Sequence, residues 1–202
     1  MECILSLSGE RMNKTLKSII KTLIAIIAGS VLFIVFTTVQ IPVKVIPDTY
    51  LEFRIVVLSF FASVFGPVAG LAIGIIGHSL GDIIFYGNVW WSWVLSDGLF
   101  GLLIGCFSKF YEIDEGHFNY QKVIIFNIVQ SVSNVACWIV AAPLLDIAMY
   151  EEPSHKVFAQ GVAAFVGNII VVAVLGSLVN FAYSKIRLNM LNEKQISESS
   201  VD

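Results

Sequence analysis

From Ile19 to Val39 the chain is predominantly apolar, with Lys21 as its only charge. A run of about 18 or more residues with so little charge is too long for a buried core helix and reads as a membrane span. Further apolar stretches follow, the second of them short, and together they predict helices over 18–39, 52–65, 67–85, 92–109, 121–142 and 156–184. Only 13% of the residues are charged and 57% are hydrophobic, where soluble domains carry about 25% charged residues. The expected fold is therefore all-α: a polytopic membrane protein with six transmembrane helices in one compact bundle. That bundle covers 18–185, between an N-terminal cytoplasmic segment (1–17) and a polar, frayed tail (186–202).

The first run exceeds the roughly 7–15 residues of a signal-peptide core and lacks a small-x-small cleavage site, so it is expected to be retained. Met12-Asn13-Lys14 reads as an alternative start. Gly66-Pro67 punctuates the second helix from the third, and Pro143 and Pro153 bracket the last connector; Pro is tolerated at a first helical turn and disfavoured inside a helix. Cys3, Cys106 and Cys137 are far apart in the sequence and form no ligand cluster, so neither a disulfide framework nor a metal site is expected. With a net charge of -3 and no basic patch, nucleic acid is not an expected partner.

Lys and Arg favour cytoplasmic loops. With both termini inside, the inner side carries Arg11, Lys14, Lys17, Lys21, Lys109, Lys122, Lys185, Arg187 and Lys194, and the outer side only Lys44, Arg54 and Lys156. Gly66, Gly70, Gly74, Gly77 and Gly81 recur on one face of the third helix, and Gly98, Gly101 and Gly105 on the fourth. Small residues let membrane helices approach closely. In the first helix, Ala25 and Gly29 form a similar pair, suited to packing within the chain or against a partner subunit.

Polar groups at membrane depth are costly and mark functional candidates. His78 and Asp82 are spaced i,i+4 on one helix face. Trp90, Trp91 and Trp93 open the fourth helix, with Asp97 about a turn below. Asn127, Gln130 and Asn134 form a stripe on the fifth, with Trp138 beyond it; Lys156, Gln160 and Asn168 follow on the sixth. The tryptophans also fit an interfacial belt, the amide stripe fits interhelical packing, His78 with Asp82 fits a structural lock, and Arg54 beside Glu52 an interfacial ion pair. Asp146, Glu151 and Glu152 read as loop charges, with Asp146 near enough to reach a ligand. The polar outer halves suggest an outward-open cavity, and stacked aromatics with amides suit a flat, polar heterocycle. No P-loop, HExxH or GxSxG motif is present, so any ATP-driven step must come from another subunit.

These residues resemble the S components of energy-coupling-factor (ECF) vitamin importers, closest to a little-characterised riboflavin- or hydroxymethylpyrimidine-type subgroup. The resemblance runs from about Phe65 to Gly161. It is carried by Phe65-Gly66-Pro67 with Gly70, Gly77-His78 with Asp82, Trp90-Trp91-Ser92-Trp93, Asn127, Gln130 and Asn134, Pro143 with Asp146, and Glu152-Pro153 through Gln160-Gly161. It departs from the family at Glu52-Phe53-Arg54, where an amide-rich stretch is usual.

The resemblance implies a cell-membrane protein that is not an enzyme and needs no cofactor. It implies a ligand site at the outer face, roofed by the loop from Gln40 to Leu51, and partners consisting of a transmembrane scaffold and two ABC-type ATPases. The family's scaffold contact falls on Ala25 and Gly29. The expected substrate-binding residues are His78, Asp82, Trp90, Trp91, Trp93, Asp97, Asn134, Asp146 and Gln160, acting on riboflavin, a thiamine-related pyrimidine or another small nutrient. Two rival readings remain: a proton-coupled permease using Asp82 or Asp97, and an intramembrane enzyme using His78 and Asp82.

Overall fold

The computed structural model describes residues 2–42 and 50–199, with side chains from Thr15 onward in the first helix. Helix α1 (Glu2–Thr37) leads into two short antiparallel strands, β1 (Gln40–Pro42) and β2 (Tyr50–Glu52), which pair Gln40 with Glu52 and Pro42 with Tyr50. Helices α2 (Arg54–Phe65), α3 (Pro67–Tyr86) and α4 (Trp91–Cys106) follow, then the single turn α5 (Ser108–Tyr111). Two long helical stretches complete the chain, α6 (Tyr120–Tyr150) and α7 (Ser154–Ser199). Each contains a π-helical segment, Val135–Ala141 in α6 and Val172–Gly176 in α7.

Four of these stretches are long and apolar enough to cross a bilayer: Thr15–Thr37, α3, α6 and α7. Helices α2 and α4 are apolar but only 12 and 16 residues long. At 1.5 Å per residue neither alone matches a hydrocarbon core about 30 Å thick. Large apolar side chains such as Leu23, Ile24 and Ile27 of α1, Ile83 and Ile84 of α3, and Val166 and Ile170 of α7 face outward. An apolar belt of this extent is suited to lipid tails.

Helices α3 and α4 pack backbone against backbone. Gly70 and Gly101 meet backbone to backbone, and a Cβ on Gly74 would lie 2.6 Å from the Asp97 carbonyl. Gly77 and Gly81 turn instead toward Phe33 and Thr37 of α1. The glycine stripe thus serves two neighbours, because a shift from four-residue to three-residue spacing rotates its direction around the helix. Ala25 is buried in the core, and Gly29 sits under Ile73 and Phe61, so this small-residue pair is directed into the bundle.

Three local expectations differ from what is observed. Helix α6 passes through Pro143 and ends at Tyr150, where sequence predicts an end near 142. The π-helical segment just before the proline re-spaces the backbone hydrogen bonds, which accommodates a residue without an N–H. Helix α7 continues through the expected frayed tail to Ser199, with Lys194 and Glu198 paired at i,i+4. The α1–α2 connector contains a two-stranded ladder, while its residues 43–49, part of the expected roof, lie outside the described residues.

At one end of the bundle, Asp114 in the α5–α6 connector binds Lys21 of α1 at 2.6 Å and Arg187 of α7 at 2.9 Å, and accepts a hydrogen bond from Tyr183. This end gathers the far portion of α7 and the early part of α1. The β-strands, the α3–α4 connector and the α6–α7 connector lie at the other end.

Candidate ligand-binding site

At that second end is a cavity of about 450 Å³. Its wall is contributed by Tyr50 and Glu52 of β2, Arg54 of α2, His78, Asp82 and Tyr86 of α3, Asn88 and Trp90 of the connector, and Trp93 of α4. Trp138 and Asp146 of α6, Glu152, and Lys156, Gln160, Ala164 and Asn168 of α7 complete it. The α7 residues recur every fourth position, so a single helical face lines one side.

A charged chain runs along the wall. Glu52 grips Arg54 in a bidentate pair, with contacts of 2.6 and 2.8 Å. Arg54 Nη2 lies 3.3 Å from His78 Nε2, and its guanidinium sits 5.2 Å from the centre of the Phe33 ring. His78 Nδ1 contacts Asp97 at 2.6 Å, and Nε2 is 3.3 Å from Asp82. Asp82 also accepts a hydrogen bond from the backbone N–H of Trp90. One first-turn arginine thus ties β2 and α2 to α3, and His78 carries the connection into α4.

A second cluster centres on Asp146, which is 1% exposed. Its carboxylate accepts from Trp90 Nε1 at 2.7 Å, from Trp93 Nε1 at 2.9 Å and from the Ser92 hydroxyl. Trp90 stacks on Tyr150 with ring centres 4.3 Å apart, and Trp93 lies against Trp138 at 5.4 Å. The Trp91 backbone N–H donates to the Tyr150 hydroxyl. The tryptophans are therefore fixed by hydrogen bonds at their edges as well as by ring contacts. Gly161 lets α7 approach the Trp138 carbonyl closely, bringing the Gln160 face against this wall.

Of the expected site residues, His78, Asp82, Trp90, Trp93, Asp146 and Gln160 line the cavity. Trp91 is 45% exposed and turns outward, since consecutive helical residues point about 100° apart. Asp97 is buried behind His78. Asn134 is buried within α6 and donates to Gln130 one turn earlier, while Asn127 donates to Ser177 of α7, so the amide stripe is engaged partly within α6 and only at Asn127 between helices. Sequence reasoning did not select Tyr50, Glu52, Arg54, Tyr86, Asn88, Trp138, Glu152, Lys156 or Asn168 as site residues. The spacing of Lys156, Gln160 and Asn168 at multiples of four residues was an available signal. The wall contributed by β2 was not, because only the strand ladder turns Tyr50 and Glu52 inward. Among the described residues, no group of three His, Cys, Asp or Glu side chains is arranged to hold a metal ion.

A lipid-facing helical bundle that encloses a polar and aromatic cavity defines a membrane-embedded small-molecule binding protein. A family model described as the ECF-type riboflavin transporter, S component, matches residues 14–185, and the chain belongs to this family. It is accordingly an integral membrane protein and a transporter component, not an enzyme. Among its relatives, a UPF0397 protein of Streptococcus gordonii is 46% identical, over 82% of this chain and 89% of the relative. A UPF0397 protein of Lactobacillus acidophilus is 41% identical over 88% of this chain and 95% of its own length. One from Streptococcus pneumoniae is 38% identical over 84% and 92% respectively. No solved structure matches.

Proposed function

We propose that this chain captures a vitamin-like heterocycle at the outer face of the cell membrane and delivers it through an ECF-type importer. Six helices then traverse or line the membrane, with both termini in the cytoplasm. Two ABC-type ATPases act through a transmembrane scaffold subunit. The observation that carries the reading is the cavity itself: tryptophans anchored at their edges beside hydrogen-bonding side chains, at the bundle end remote from the Lys21–Asp114–Arg187 cluster. Aromatic walls supply apolar contact area for a flat ligand, and a few placed polar groups fix its orientation. The basic residues at the remote end agree with a cytoplasmic side there.

The test has two arms. The purified protein in mild detergent is screened by thermal shift against water-soluble vitamins and their precursors, where a site-specific ligand stabilises the native state by mass action. The protein is then reconstituted with and without a scaffold and ATPases. ATP-dependent uptake that requires the partners supports the reading. Uptake in vesicles driven by a proton gradient alone would instead establish a permease.

A further inference from the structure

We propose that the cavity selects a flat, positively charged heteroaromatic ring that also carries a hydrogen-bond acceptor. This deepens the ligand-capture reading and rests on it. The first observation is how charge is distributed over the wall. Glu52, Asp82, Asp146 and Glu152 are carboxylates, against the cations Arg54 and Lys156. Both cations already have acidic partners: Arg54 is held bidentately by Glu52, and Lys156 lies 3.0 Å from Glu152.

Asp146 is different. Its three partners, two indoles and a hydroxyl, are all neutral donors, and among the described residues no Lys, Arg or His forms an ion pair with it. A carboxylate taken out of water without a countercharge is costly. A cation on the ligand would supply that countercharge. The same tryptophans that donate to Asp146 present aromatic rings to the cavity, and aromatic faces attract cations.

The second observation concerns unused donors. Arg54 is 5% exposed and Trp138 3% exposed, both residues line the cavity, and Arg54 Nη1 and Trp138 Nε1, themselves covered just behind its surface, have no hydrogen-bond partner. Buried donors are almost always paired, so ligand capture is expected to turn one of these covered N–H groups onto an acceptor such as a carbonyl oxygen or a ring nitrogen. Because the Arg54 charge is already engaged by Glu52, this remaining N–H provides a directional donor without making the wall selective for anions.

The full-length protein in detergent is titrated calorimetrically with two charge-contrasted pairs, 1-methylnicotinamide against nicotinamide and thiamine against thiochrome. The expected result is that the cation of at least one pair binds saturably and about tenfold or more tightly than its uncharged counterpart. In Asp146→Asn the ratio within that pair should fall toward unity, a readout that general loss of fold does not move because both members would weaken together. A retained ratio in Asp146→Asn would overturn the assignment of the charge to Asp146. Uncharged members binding as tightly as their cations, or no cation binding, would overturn the charge selection. A neutral vitamin that binds and is imported with the scaffold and ATPases would leave the capture reading standing while refuting this one. Failure of all uptake with those partners would refute the capture reading itself.

Discussion

Arg54 and His78 show how single residues join separate elements. Arg54 is buried between Glu52, His78 and the Phe33 ring, so its removal leaves acidic neighbours without their cation. Breaking a buried pair by deleting one partner costs about 3–5 kcal/mol. Arg54→Met should therefore lower the thermal unfolding midpoint in detergent markedly, and adding Glu52→Gln should restore part of the loss. An equal loss in the double variant would show that packing on Phe33, and not the ion pair, dominates. His78→Leu should likewise separate α3 from Asp97 of α4 and destabilise the protein, whereas His78→Asn keeps polar atoms toward that contact. A smaller drop in the unfolding midpoint for the asparagine variant is the expected outcome.

At the scale of elements, the α3–α4 contact positions the site from below. Gly74 packs on the Asp97 backbone, one helical turn from where His78 meets the Asp97 side chain. A methyl group there must push two backbones apart, and overpacking costs about 1–3 kcal/mol. Gly74→Ala should lower the unfolding midpoint more than Gly81→Ala, whose added Cβ would meet Thr37 Oγ1 at a milder 3.3 Å. Equal shifts would count against a rigid α3–α4 seam. The six apolar segments and the Gly66-Pro67 break were legible at this scale, because hydropathy and backbone restriction are local properties. The passage of α6 through Pro143 and the β1–β2 ladder were not. The first depends on a π-helical adjustment over Val135–Ala141, and the second on pairing across residues distant in sequence.

Across the whole molecule, Asp114 joins α1 to α7 at the end opposite the cavity. Burial opposes ionisation of this carboxyl, but Lys21, Arg187 and the Tyr183 hydroxyl outweigh it and hold its pKa below the ordinary value of 3.8. A carboxylate with a depressed folded pKa binds fewer protons in the native than in the unfolded state. Its contribution is complete above the ordinary carboxylate range and is lost as pH falls through the depressed folded value. Unfolding midpoints measured from about pH 7 down to about pH 3 should therefore fall less steeply for Asp114→Asn than for the unaltered protein. Parallel curves would show that the cluster is fully screened by solvent.

The sequence by itself determined the solvent this protein folds in and the regular elements it uses, because both follow from uninterrupted apolar runs. It also pointed to much of the cavity wall, since Trp90, Trp93, His78, Asp82, Asp146 and Gln160 are polar or aromatic residues at positions where the membrane makes them costly. Only the tertiary structure decided which of the polar residues share a cavity. Rotation about α4 turns Trp91 outward, packing within α6 and against α7 engages the Asn127, Gln130 and Asn134 amides, and Asp97 is covered by His78. The ladder and the α7 face bring Glu52, Arg54 and Lys156 inward. A helical position fixes a side chain's direction only relative to its own axis; the neighbour it meets is set by how the axes pack.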